Sequence, residues 1–258
     1  MSTTILFCTD HRVPDNIYKV VSDRLTNLAN RNVLGIVSVS HNPINLGDNI
    51  AIGPHKSSWL TLYKQLYIGL EEIRTRFVTI AEHDCLYHDQ HLNWRPPTDD
   101  KFYYNENVWM VQWSNPEKPD LVNGTYSQFW GQRLALSQLV CNRDLYLRTL
   151  EKRLAIIDKD NTLVNGIDHI GEPGVSKLNQ KRLTRLRKWA DSGRPVYLKE
   201  MLGGVLELEK YETFQTRIPN LDIRHDNNFT GPRRGPNRTR QMKIPYWNEF
   251  KFIMRGGR

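Results

Sequence analysis

The sequence predicts an α/β protein built on a central sheet that is mixed but mostly parallel. Three observations predict it. Short apolar segments rich in β-branched residues alternate with amphipathic helical segments through the first hundred residues. Each of the three clearest apolar segments runs directly into a polar, ionisable cluster, while its other end meets an ordinary loop. Finally, no GxGxxG, GxxxxGK[ST] or GxSxG occurs, which removes most dinucleotide-binding, P-loop and α/β-hydrolase readings.

The elements follow in order. Thr4 to Cys8 (TILFC) reads as a buried strand. From Asp15 to Asn30, Ile17, Val20, Val21, Leu25 and Leu28 recur at helical spacing, with Asp15 as the expected N-cap. Val33 to Val39 (VLGIVSV) is a second strand, and Ser40 to His55 reads as a Gly/Pro/Asn loop. Ser57 or Ser58 caps a helix with Trp59, Leu62, Tyr63, Leu66, Leu70 and Ile73 on one face. Phe77 to Ala81 (FVTIA) is a third strand. Strands joined through helices imply parallel pairing with right-handed crossovers, and such sheets bind ligands beyond their carboxyl ends. Beyond residue 100 the pattern becomes mixed. Val108 to Trp113 and Arg133 to Cys141 read as strands, Asp144 to Ile157 and the very basic Lys177 to Trp189 as helices, and Val205 to Glu209 as a further strand.

Composition excludes several classes. The chain has 258 residues, 39% hydrophobic and 25% charged, with 7 Trp, 11 Tyr and 8 Phe as bulky core material. That is not a disordered, collagenous or coiled-coil composition. Apolar runs such as Val33 to Val39 fall far short of the ~20 residues that span a bilayer, so no integral membrane segment is expected. Ile5 to Cys8 is too short for a signal h-region, and Asp10, His11 and Arg12 follow it at once. Three scattered cysteines, Cys8, Cys85 and Cys141, form no disulfide framework, which points to a reducing, cytoplasmic setting.

Charge is unevenly placed. Residues 1–176 hold 17 basic and 20 acidic side chains, a net −3, whereas residues 177–258 hold 19 basic and 8 acidic, a net +11. A basic third on a slightly acidic body points to a polyanionic partner, either nucleic acid or an anionic membrane surface.

The strand ends supply the candidate chemistry. Glu82-His83-Asp84 follows the third strand. At a strand end the carboxylates at i and i+2 point to one side, and together they can hold a hard divalent cation with open positions for phosphate oxygens. His83, His88 and His91 lie near Asp84, Cys85 and Asp89, but no CxxC or HExxH frame supports a zinc site there. Asp222-Ile223-Arg224-His225, ahead of Asn228 and Thr230, suits closure of a metal–phosphate site by one guanidinium and one imidazole. Glu172, in the Gly/Pro loop from Asp168 to Gly174, is a candidate general base or a helix-start acid, and Asp168 and His169 compete with it.

These residues fall in a recognisable order: CTDHR, SVSHNPINLGDNI, YKQLYIGL, EHDCLYHDQHLNWRPP, FYYNENVW and DIRHDNNFT. The chain thereby resembles nucleotide-sugar glycosyltransferases of the GT-A (Rossmann-like) fold, and within them a bacteriophage and environmental group that glycosylates modified bases in DNA. The matching segments lie within residues 4–115 and 222–230. The resemblance implies one GT-A domain over residues 1–258: a nucleotide-sugar half at 1–100, an acceptor half at 101–232 and a basic segment at 233–258. It puts Glu82-His83-Asp84 in the DxD place, with Asp84 the direct metal ligand, His225 completing the site and Glu82 nearby. It also puts Thr9, Asp10 and Arg12 at the base and ribose, and Lys56, Lys64 and Gln65 at the nucleotide pocket or diphosphate, with Arg224 closing it. A UDP-sugar with manganese or magnesium is the implied donor arrangement.

For the acceptor, the resemblance implies double-stranded DNA with hydroxymethylated pyrimidines, in an infected host cell if the source is viral. The basic helix with Lys181, Arg182 and Arg185 and the loop with Arg233, Arg234, Arg238 and Arg240 are the expected phosphate contacts. Trp94, Trp130 and Trp189 are candidates to stack an everted base. A transferase for a cell-surface glycan or lipid-linked acceptor on an anionic membrane shares the same donor half, and a non-catalytic nucleic-acid-binding protein on a degenerate transferase fold is the reading from another class.

Overall fold

The computed structural model describes residues 3–112, 134–159, 173, 209–225, 227, 228 and 247. The chain begins with β1 (Thr3–Thr9), α1 (Asp15–Asn32), β2 (Gly35–Ser40), β3 (Asp48–Ala51), α2 (Trp59–Glu72) and β4 (Phe77–Glu82). There follow β5 (Cys85–Leu86), α3 (Asp89–Leu92), β6 (Phe102–Asn105) and β7 (Val108–Gln112), then β8 (Leu139–Asn142) after a short 3-10 turn. Next come α4 (Arg143–Lys159), β9 (Tyr211–Phe214) and β10 (Asn220–Arg224).

Seven strands form one sheet in the order β3-β2-β1-β4-β8-β6-β9. Pairings β2–β3, β1–β2, β1–β4 and β6–β9 are parallel, while β8 runs antiparallel to both β4 and β6. This is the mixed, mostly parallel α/β architecture expected above. A second sheet, β5-β10-β7, sets β10 parallel to β7 and antiparallel to β5.

Alternation along β1 explains the layering. Ile5 and Phe7 pack with Ile17, Val21, Leu25 and Leu28 of α1, whereas Leu6 and Cys8 pack with Leu66 and Leu70 of α2. The two crossover helices therefore cover opposite faces, and the chain reverses its direction of winding between β1 and β4. That is the topological switch point, where the loops leaving two adjacent parallel strands part and open a crevice. Close approach of α2 depends on Gly69: a Cβ there would lie 2.3 Å from Leu6 Cδ1 and 3.0 Å from Val39 Cγ2.

Local differences from the sequence reading have physical causes. Pro14, not Asp15, is the N-cap of α1, and Asp15 sits in the first turn beside the positive end of the helix. Ser58 caps α2 by accepting the Thr61 N–H. The expected loop from 40 to 55 contains β3, a short polar strand held by pairing with β2. The segment expected as a strand over 133–141 forms the 3-10 turn Leu136–Gln138 before β8. The expected helix over 177–189 lies outside the described residues, as do residues 205–208 of the expected strand before β9. Among the described residues, no helix is long and apolar enough to cross a membrane.

Candidate metal and nucleotide site

β1 and β4 end side by side, with Cys8 in register with Glu82. Thr9 and Asp10 therefore leave the sheet next to His83 and Asp84. The link is direct: Thr9 Oγ1 lies 2.7 Å from His83 Nδ1 and also accepts the His11 N–H at 3.1 Å. Asp10 Oδ1 is 4.0 Å from the same imidazole nitrogen, and Asp10 Oδ2 accepts from Arg12 Nε at 2.6 Å. Burial alone would raise the Asp10 pKa, but the Ser57 hydrogen bond, His83 and Arg12 together bring it below the ordinary carboxylate value.

The second sheet completes the site. The Ile223 N–H donates to the Asp84 carbonyl at 2.7 Å, which ties β10 to the turn after β4. His225 follows β10, and its Nε2 stands 3.7 Å from Asp84 Oδ2. The His225 N–H donates to Asn228 Oδ1 at 2.6 Å, and Asn228 Nδ2 donates to Asp84 Oδ2 at 2.7 Å. His83, Asp84 and His225 thus offer one ligand atom each, all within 4.8 Å of one another.

The donor set fits a divalent cation. The His225 side chain is 1% exposed, and its Nε2 is buried without a hydrogen-bond partner among the described residues. Such an orphan is costly unless a ligand satisfies it. Nδ1 of the same ring accepts the Asn227 N–H at 3.2 Å, so the neutral ring carries its proton on Nε2. To hold a cation through Nε2 the ring would take the other tautomer, with its proton on Nδ1, and the Asn227 N–H would need another acceptor. Asp84 is ready to bind: burial pushes its pKa up, but His225, His83 and Arg224 more than offset this and hold it below the usual carboxylate range. For His83 burial outweighs Asp84 and Asp10, so its pKa is lowered and the ring is neutral at physiological pH.

Other predicted site residues sit as follows. Glu82 ends β4 and is not part of the three-residue cluster; its N–H donates to the Tyr87 hydroxyl at 3.0 Å. Strand alternation stops at Glu82 and a turn follows, so the i, i+2 relation to Asp84 does not carry through. The cluster with Asp84 and His225 includes His83, the middle residue of the motif. Gln65 is buried, and its Nε2 donates to the carbonyls of Thr9 and Val39 at 3.0 and 3.1 Å. It braces the ends of β1 and β2 against each other. Lys56 and Lys64 are exposed. Arg224 pairs with Asp222 at 3.0 Å. Trp94 stacks on Phe214 at 3.8 Å and 6°, so that ring face is already covered. His88 accepts the Gln90 N–H at the start of α3, His91 is fully buried beside Tyr87, and neither is part of the three-residue cluster. Glu172, Asp168, Thr230, Trp130, Trp189, Lys181, Arg182, Arg185, Arg233, Arg234, Arg238 and Arg240 lie outside the described residues.

No protein-family model matches the chain, and no curated protein matches its sequence. Similar solved structures exist. One is the bifunctional IspDF from Campylobacter jejuni, with 12% identity over 65% of this chain and a TM-score of 0.37. The chain spans 47% of that protein's length. Another is a glycosyltransferase involved in glycosylation of the major capsid of PBCV-1, with 8% identity, 86% of this chain and 92% of that one covered, and a TM-score of 0.41. A third is a Drosophila beta1,4-galactosyltransferase 7 variant in complex with manganese, UDP-Gal and xylobiose, with 11% identity, 94% and 81% coverage and a TM-score of 0.40.

Proposed function

We propose that the chain is a cation-dependent GT-A glycosyltransferase, a hexosyl- or pentosyltransferase whose donor is a UDP-sugar. The observation that carries this reading is the convergence of His83, Asp84 and His225 beside Thr9 and Asp10 at the switch point of the sheet. His83, Asp84 and His225 hold the cation, which supplies a Lewis acid to offset charge on the departing diphosphate. Two imidazoles and one carboxylate suit manganese better than magnesium, which prefers an all-oxygen shell. Thr9 fixes the His83 ring, and Asn228 fixes Oδ2 of Asp84, as outer partners do in metal sites. Asp10 and Arg12 line the nucleotide end of the crevice. Arg224 adds positive charge beside Asp84 and is suited to meet a phosphate. Lys56 and Lys64 are candidates for the diphosphate. Glu172, with Asp168 second, is the candidate base for the acceptor hydroxyl, which an inverting route needs within ~3 Å.

The proposed acceptor is the hydroxymethyl group of a modified pyrimidine in double-stranded DNA. What supports it is the net +11 of residues 177–258, against −3 for the remainder, together with the sequence resemblance. The test is incubation with a panel of nucleotide sugars, manganese and DNA containing hydroxymethylated pyrimidines, read by mass spectrometry of the nucleosides. Sugar-bearing nucleosides are expected, abolished by EDTA and lowered at least a hundredfold by Asp84→Ala, a loss of about 2.7 kcal/mol or more at the transition state. Undiminished transfer in EDTA or in Asp84→Ala overturns the metal-dependent reading. Transfer to a lipid-linked or oligosaccharide acceptor, with none to modified DNA, replaces the DNA acceptor and leaves the donor site standing.

A further inference from the structure

Two buried contacts hold the stretch of chain between α4 and β9. Arg153 of α4 and Glu209, two residues before β9, form a buried ion pair, with Arg153 Nε donating to Glu209 Oε1 at 3.0 Å. The chain leaves α4 at Lys159 and enters β9 at Tyr211, so this pair joins the two ends of the intervening excursion. The second contact is made within the excursion: the Tyr104 hydroxyl donates to the carbonyl of Pro173. Tyr104 is 1% exposed, and Pro173 is itself buried.

The register of the sheet says where that carbonyl is held. β8 runs antiparallel to both β4 and β6, so β6 runs in the direction of β4. Tyr103, Val140 and Thr79 form one row across the three strands. Tyr104 is therefore one residue nearer the edge from which His83 and Asp84 leave, and two strand spacings, about 10 Å, separate β6 from β4. Its ring packs on the α2 and α4 side of the sheet with Leu136 and Leu139, a place that phenylalanine would fill as well. The hydroxyl is what reaches Pro173. Proline passes this anchor to the residue before it, because its ring fixes φ at about −65° and confines the preceding residue to extended backbone. That preceding residue is Glu172, the candidate base.

We propose that Tyr104 is a positioning residue for sugar transfer: through the Pro173 carbonyl it holds Glu172 at the sheet edge that carries the cation cluster. This rests on the reading of Glu172 as the base. In the transfer step the acceptor oxygen bonds to the anomeric carbon as the bond to the diphosphate breaks, and the hydroxyl proton passes to the Glu172 carboxylate. Tyr104 acts on this step only through the loop.

The experiment is a double-mutant cycle on the whole chain with Tyr104→Phe, Glu172→Gln and the two combined. Transfer is measured from UDP-glucose and UDP-galactose to DNA containing hydroxymethylated pyrimidines, with manganese present, and UDP affinity by calorimetric titration. Tyr104→Phe is expected to lower kcat about tenfold, part of the 10²–10⁴-fold that a placed general base supplies, with the donor KM and the UDP affinity within about twofold of wild type. In the Glu172→Gln background the same change should lower kcat no further, because the hydroxyl has lost the group through which it acts. Unchanged kcat in Tyr104→Phe overturns the assignment and leaves Glu172 standing as the base. A loss that adds in full to that of Glu172→Gln, or a parallel loss of UDP binding, also overturns it, since the hydroxyl would then act elsewhere. Should Tyr104→Phe melt below the assay temperature, Pro173→Gly loosens the loop with Tyr104 in place and carries the same cycle with the same expected outcomes. If Glu172→Gln transfers as well as wild type, or wild type transfers nothing to this DNA, the base reading falls and this inference falls with it.

Discussion

His91 lies between Tyr87 and Phe214, with centroids 5.5 and 6.0 Å away and planes tilted by 27° and 13°. It is fully buried, and Nε2 has no partner among the described residues. Burial lowers its pKa from 6.5 to about 3. The folded chain thus refuses a proton that the unfolded chain accepts below about 6.5. Its contribution is complete above that pH and is lost as pH falls toward 3, at about 1.4 kcal/mol per pH unit between the two values. Urea unfolding at pH 7.5 and pH 5 should therefore show a smaller stability drop in His91→Phe than in wild type. Equal drops in the two proteins would remove His91 as the source. His91 and His83 are eight positions apart in one histidine-rich stretch, yet one belongs to an aromatic stack and the other to the cation cluster. Sequence spacing did not separate them, because the distinction arises from where β4 stops, which puts His83 in the turn, and from α3, which turns His91 toward Tyr87 and Phe214.

At the scale of elements, β1, β2, β4, α1 and α2 were legible because each carries its own apolar period and packs locally. β3 (DNIA) and β10 (NLDIR) were not, since neither alternates clearly: β3 exists because it pairs with β2, and β10 because it lies between β5 and β7. His225 was legible as a candidate through its Arg and Asn neighbours, and the structure brings it to Asp84, whereas the bracing of β1 and β2 by Gln65 was hidden in an ordinary amphipathic helix. Gly69 is another such case. In an isolated helix Gly→Ala gains about 1 kcal/mol. Here the added methyl would press on Leu6 and Val39, both completely buried, and overpacking costs about 1–3 kcal/mol. Gly69→Ala should accordingly lower the melting temperature by a few degrees. A rise in thermal melting instead would mean that α2 shifts outward without loss.

For the whole molecule, the charge asymmetry sets a salt dependence. If DNA is the acceptor and about five or six phosphates are neutralised, log affinity should fall against log salt with a slope near −5. Charge reversal at Arg233, Arg234, Arg238 and Arg240 should flatten that slope and raise KM for DNA, while UDP-sugar hydrolysis is largely spared. Electrophoretic mobility titrations over a range of salt concentrations check this, and a slope near zero in the wild type would sink the DNA acceptor.

The hydrogen bond from Asn228 to Asp84 joins residues 144 positions apart. Forming the centre therefore closes a very long loop, whose entropic cost only the completed pairing of β10 with β5 and β7 can offset. A nascent chain that has released only β1 to β7 holds Thr9, Asp10, His83 and Asp84 but no His225, so the three-residue cluster is incomplete. The cluster thus comes together late, with β10, the last strand among the described residues, and the three side chains cannot act as one site before His225 has been made.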